Sequence, residues 1–143
     1  MDLGLKGKCA LVMASSSGLG KAIATEFARE GANVMLFSRS EEELEKTKRD
    51  ILGETGNEPG CFAGSITSPA DIRELVKTTV ERFGPVYALV NNTGGPPPGT
   101  FDAFDDEAWQ KAYELTLLAY IRAIREVLPY MRAHGGGRIL CSN

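Results

Sequence analysis

Cysteine, histidine and tryptophan are scarce in this 143-residue chain, at three, one and one. Cys9, Cys61 and Cys141 are odd in number and widely spaced, which excludes a disulfide framework and a C-x-x-C metal clip. The reading is a protein of the reducing cytoplasm, with no metal site. Long hydrophobic runs are lacking as well: residues 86–90 are apolar, far short of the ~20 residues that span a bilayer. The opening MDLGLKGK has no apolar core of a secretory signal, so neither secretion nor membrane insertion is expected. An excess of positive charge is missing too, since 16 Lys and Arg against 19 Asp and Glu give a net charge of -3. No basic footprint for nucleic acid follows from that balance. Linkers, repeats and low-complexity tracts are also absent, so residues 1–143 read as one domain.

What is present is the composition of an ordinary globular protein, 43% hydrophobic and 24% charged. A chain of this size buries roughly 68% of the surface it exposes when unfolded, enough for a sizeable core. Apolar runs alternate regularly with helical patterns. Residues 8–14 read as a buried strand, and 19–30 as a helix with Ile23 and Phe27 on one face and Gly31 at its left-handed cap. Residues 33–38 form the second strand, and Ser40 with Glu43 predicts a capping box opening a helix through Leu44, Ile51 and Leu52. Residues 60–64 are a short third strand. The SPAD at 68–71 then places Ser at an N-cap and Pro at the first helical position, ahead of a stripe of Ile72, Leu75, Val76, Val80 and Phe83. A fourth strand covers 86–91. A long helix follows over 106–134, with Trp109, Tyr113, Leu117, Tyr120, Ile121, Ile124 and Leu128 on its apolar side and Pro129 predicted to bend or end it. Residues 138–143 begin a fifth strand. Strands separated by crossover helices pair in parallel, so the expected fold is α/β, a doubly wound Rossmann-type sheet.

In such a sheet the first strand-to-helix turn presents unpaired amides and the positive end of a helix dipole, which is where a phosphate binds. Here that turn is MASSSGLGKAIA, residues 13–24. Gly18 and Gly20 remove side chains where a pyrophosphate approaches or a helix packs close, and Ser15, Ser16 and Ser17 add hydroxyls; Ala14 and Leu19 complete the candidate segment. Two glycines alone are also what any tight turn uses. Position argues for the phosphate, because a second strand ends about 20 residues later, as a dinucleotide fingerprint requires. At that strand end stand Ser38, Arg39 and Ser40 rather than an acid. A cation there suits a 2′-phosphate and points to NADP(H); the competing reading pairs Arg39 with Glu41 or Glu42 on the surface. His134, at a Gly-rich helix end, reads as a partner of the helix dipole. The GGPPPG loop at 94–99 reads as a rigid connector or a stiff rim of the site.

Together, MASSSGLG, the NNTG at 91–94 and the LPYM at 128–131 before GGGRIL resemble the short-chain dehydrogenase/reductase family, most closely its 3-oxoacyl-(acyl carrier protein) reductase-like members. The likeness runs from about residue 6 to the end of the chain. It implies an NADP(H)-dependent oxidoreductase acting on a small-molecule carbonyl or alcohol, with a homo-oligomer formed through the long helix. Residues 13–20 stand where the family has T-G-x-x-x-G-x-G, so Met13 and Ala14 replace Thr and the first Gly. Asn91, Thr93 and Gly94 match N-N-A-G apart from Thr, a segment that in the family steadies the sheet and lies beside the nicotinamide ribose. Ser65 and Ile66 occupy the place of an adenine-contacting Asp and Val. Thr116 falls where the family has a catalytic Asn; its hydroxyl holds a water or is a satisfied core group. The family's catalytic Ser would fall at position 144, and its Tyr-x-x-x-Lys beyond that, so the C-terminal part of the family fold is expected to be missing from this sequence. Ser142, two positions earlier, is expected within the strand. Tyr87, Tyr113, Tyr120 and Tyr130 have no Lys four residues later. The alternative to an enzyme half is a non-catalytic dinucleotide-binding or scaffolding module.

Overall fold

The computed structural model describes residues 1–142. Five parallel strands, β1 (Cys9–Val12), β2 (Asn33–Ser38), β3 (Gly60–Ala63), β4 (Val86–Asn91) and β5 (Arg138–Cys141), lie in the order β3-β2-β1-β4-β5. The helices between them are α1 (Gly18–Arg29), α2 (Glu41–Thr55), α3 (Pro69–Phe83), α4 (Asp106–Tyr113) and α5 (Ala119–Ala133). Chain order reverses on either side of β1, so the carboxyl ends of β1 and β4 flank the crevice where open α/β sheets bind ligands. The doubly wound fold expected from the alternation of elements is the one observed.

The strand period of two splits the core into two layers. Leu11, Met13, Met35, Phe37 and Leu89 point to the face covered by α3 and α5, packing with Ile72, Leu75, Ala123 and Val127. Ala10, Val12, Val34, Leu36, Ala88 and Val90 point to the other face, against Ala24, Ala28, Leu44 and Ile51 of α1 and α2. The central strands are buried on both sides, which is why they read as continuous apolar runs. At the sheet edge β5 is exposed along its length.

Helix ends follow their local chemistry. Gly31, at φ +84°, closes α1: its N–H donates to Ala28 O and the N–H of Ala32 reaches Phe27 O, the paired bonds of a Schellman motif. Ser68 Oγ accepts from Asp71 N at 3.2 Å, with Pro69 in the first turn of α3. Ser40 Oγ likewise accepts from Glu43 N at 3.2 Å. The return half of the expected capping box is replaced, because the Glu43 carboxylate accepts from Ser16 Oγ instead, at 3.3 Å.

The long helix departs from its predicted pattern. Residues 114–118 form a π turn between α4 and α5, in which Ala119 N donates to Glu114 O. The wider turn shifts the phase of everything after it relative to a uniform 3.6-residue spacing. The buried face of α5 is therefore Tyr120, Ala123, Val127 and Met131. Trp109, Tyr113, Leu117 and Ile121, expected on the core side, are exposed at 49%, 43%, 51% and 37%. Pro129 sits within α5, which continues to Ala133, so it does not end the helix. His134 caps it, with its Nδ1 2.9 Å from Tyr130 O, where a partner of the dipole was expected.

Candidate dinucleotide cleft

The carboxyl ends of β1, β2, β3 and β4 open into one cleft of about 960 Å³. Its floor is the turn from β1 to α1. Ala14 holds φ +50°, a left-handed conformation at the position where the resembled motif has Gly. Gly18 follows at φ +55°. Gly20 packs directly on the Ala14 carbonyl, and a Cβ there would overlap that backbone. Lys21 N makes the first helical bond, to Ser17 O at 3.2 Å, so the amides of Gly18, Leu19 and Gly20 precede it.

The N-terminus of α1 differs from its counterparts. Helices α2, α3 and α4 are each capped by a side-chain oxygen, of Ser40, Ser68 and Asp105, and each carries an acid in its first turn. Ser17 makes no such cap bond, and the first turn of α1 has no acid. Helix α5 also lacks both features, but it continues from a helical turn that takes its amides. The roughly half positive charge at the start of α1 is thus left without an internal anion.

Around this floor the cleft wall comprises Ala14, Ser16, Ser17, Gly18 and Leu19, then Ser38, Arg39, Ser40, Ser65 and Ile66, then Thr93 and Gly94, all of them candidates from the sequence. Among the described residues Arg39 makes no ion pair, so the competing pairing with Glu41 or Glu42 is not formed. Two candidates are used inside the sheet. Ser15 is fully buried; its Oγ donates to Val12 O at 2.8 Å and accepts from Phe37 N at 3.0 Å, tying β1 to β2. Asn91 is also buried, and its Nδ2 donates to Cys141 Sγ at 3.6 Å. Thr116 lies in the π turn, where its hydroxyl donates to Ala112 O at 2.6 Å. Its neighbour Leu115 lines the cleft.

Sequence reasoning passed over Glu43, Asn92 and Gly95, all of which line the cleft. Asn92 joins three segments: its Nδ2 donates to Ala14 O at 3.4 Å and its Oδ1 accepts from Ser142 Oγ at 2.7 Å. The β1–α1 turn and the end of β5 are thereby linked through one amide. Ser142 follows the end of β5 rather than lying within the strand as expected; its N–H donates to Asn91 O at 2.9 Å, and its carbonyl accepts from Tyr120 Oη at 3.0 Å. Burial pushes the Tyr120 phenol above its ordinary range. The doubled Asn of NNTG was the available signal for Asn92.

An uncapped first turn at a switch point, with an unpaired arginine at the next strand end, defines an α/β protein whose crevice is suited to an anion. Comparison with known proteins narrows the class: the short chain dehydrogenase family profile matches residues 8–142, and the chain belongs to that family. It is 32% identical over 136 residues to dehydrogenase/reductase SDR family member 4 of Caenorhabditis elegans, covering 94% of this chain and 52% of that protein. Among solved structures it is similar to L-sorbose reductase of Gluconobacter frateurii complexed with NADPH and L-sorbose, at 37% identity and TM-score 0.93, covering 99% of this chain and 54% of the other. It is also similar to a 7α-hydroxysteroid dehydrogenase complexed with NADH and 7-oxo glycochenodeoxycholic acid, at 32% identity and TM-score 0.90, covering 96% and 53%. The chain spans about half the length of the relatives it matches.

Proposed function

We propose that this chain carries the dinucleotide-binding half of an NADP(H)-dependent carbonyl reductase or alcohol dehydrogenase. The observation that carries the reading is the start of α1, the one loop-fed helix among the described residues with neither a side-chain cap nor an acid in its first turn. The amides of Gly18, Leu19 and Gly20 would hold the pyrophosphate. Arg39, with Ser40, would hold the 2′-phosphate, Ser65 and Ile66 the adenine, and Thr93 and Gly94 the nicotinamide ribose side, with the buried Asn91 tying β4 to β5 behind them. When bound, the nicotinamide supplies or takes the hydride. The chain's own part would be to hold the β1–α1 turn and the end of β5 in register through Asn92. The exposed Trp109, Tyr113, Leu117 and Ile121 stripe is the face through which copies would associate.

Calorimetric titration of the folded chain with NADPH tests the reading. Saturable heat that is lost on adding inorganic pyrophosphate is expected, and a flat trace from folded protein overturns it. The alternative carried from the sequence is a dinucleotide-binding module without turnover. Consumption of NADPH with a panel of ketones separates the two.

A further inference from the structure

We propose that Glu43 sets this chain's choice between NADH and NADPH, turning Ser16 and Ser38 into hydrogen-bond acceptors and thereby offsetting the pull of Arg39 on a 2′-phosphate. The inference rests on the dinucleotide reading above and concerns the same cleft. Ser16 Oγ lies 2.9 Å from Ser38 Oγ and 3.3 Å from Glu43 Oε2, and all three residues line the cleft beside Arg39. A hydroxyl has one proton to donate, and a carboxylate can only accept. Ser16 must therefore give its proton to Glu43. Ser38 then gives its proton to Ser16, since Ser16 has none left. The relay fixes the direction of both bonds and leaves the two serines with lone pairs for a ligand.

A ribose with free 2′- and 3′-hydroxyls brings protons that such lone pairs can accept. A 2′-phosphate brings only acceptor oxygens and negative charge, so it meets the spent hydroxyls of Ser16 and Ser38 and a carboxylate, with Arg39 and the Ser40 hydroxyl in its favour. Glu43 is not needed as the cap of α2, because the cap is made by Ser40 Oγ on the Glu43 amide, which any residue keeps. The sequence signal that suggested a capping box was sound for Ser40. The acidic partner is turned toward the cleft.

The test is the ratio Kd(NADH)/Kd(NADPH), measured by calorimetry on the folded full chain, for the unmutated protein, Glu43→Gln and Glu42→Gln. Glu42 stands in the same turn but does not line the cleft. Restoring donors and removing the charge is expected to raise the ratio about tenfold in Glu43→Gln, the scale of one charge-assisted hydrogen bond. Glu42→Gln should leave it within about twofold, as a screened surface charge does. Equal shifts in the two variants, or an unchanged ratio in Glu43→Gln with both nucleotides still binding, overturn this inference alone. Absence of binding by either nucleotide to the unmutated chain overturns the dinucleotide reading and this inference with it.

Discussion

Replacing Ala14 by Gly should stabilise the protein, although it removes a methyl group and fills nothing. Ala14 holds φ +50° between β1 and the start of α1. A left-handed backbone costs an L-residue about 1–2 kcal/mol, because Cβ crowds the following carbonyl. Glycine escapes that cost but loses about 0.5–1 kcal/mol more conformational entropy on folding. The balance is a gain of roughly 0.5–1 kcal/mol. For a domain of this size that corresponds to a rise in Tm of about 1–4 °C. Ala14→Val should move the other way, since a β-branched side chain at positive φ is strained by about 1–3 kcal/mol. Thermal melts followed by circular dichroism read both variants against the unmutated chain. If Ala14→Gly melts at or below the parent temperature while Ala14→Val melts with it, the turn is not held in the left-handed region and the reasoning fails.

Gly20→Ala should cost about 1–3 kcal/mol by overpacking and abolish NADPH binding, because its Cβ meets the Ala14 carbonyl and Asn92 Nδ2; a urea midpoint and a titration check the two effects, and wild-type values in either contradict the packing argument. Cys9 is buried and its thiol is pushed up from 9.0 to about 12 by desolvation. The folded state then holds its proton while the unfolded chain releases it, so stability is fully present below pH 9 and falls between pH 9 and 12, by about 1.4 kcal/mol per unit from this group. Cys61 and Tyr120 are raised by burial as well and push the same way; Cys9→Ala should flatten the alkaline limb of a stability-against-pH curve, and an unchanged limb would contradict the assignment. Leu117→Glu, on the exposed stripe, should convert an associating chain to monomer in sedimentation; a parent already monomeric at high concentration removes the case for association through this face.

The parts of the molecule that could be read beforehand are those whose cause is local. A strand buried on both faces is an apolar run, and Ser68 ahead of Pro69 or Gly31 after Arg29 closes a helix by chemistry contained in a few residues. Parallel pairing followed because crossover helices return the chain to the same end of the sheet. The π turn had no such signature: the composition of ELTLL is ordinary helix, and the extra residue in its hydrogen-bonded ring shows only as a shift in which face is buried afterwards. Side-chain roles in the cleft failed to declare themselves for a different reason. Ser15 meets its partner on β2 22 residues away, Ser16 meets Glu43 across 27 and Asn92 meets Ala14 across 78. Three adjacent serines thus have different roles, one in the sheet, one in the relay and one at the uncapped helix, and only the partner brought by the fold tells them apart. The start of α1 was legible from its two glycines and its place after the first strand, whereas the missing cap shows only in the fold, since Ser17 stands at an N-cap position where Ser40 and Ser68 do cap. A helix end that leaves its dipole unopposed while its counterparts do not is stabilised by an anion from outside, and that reasoning needs no partner distant in the chain.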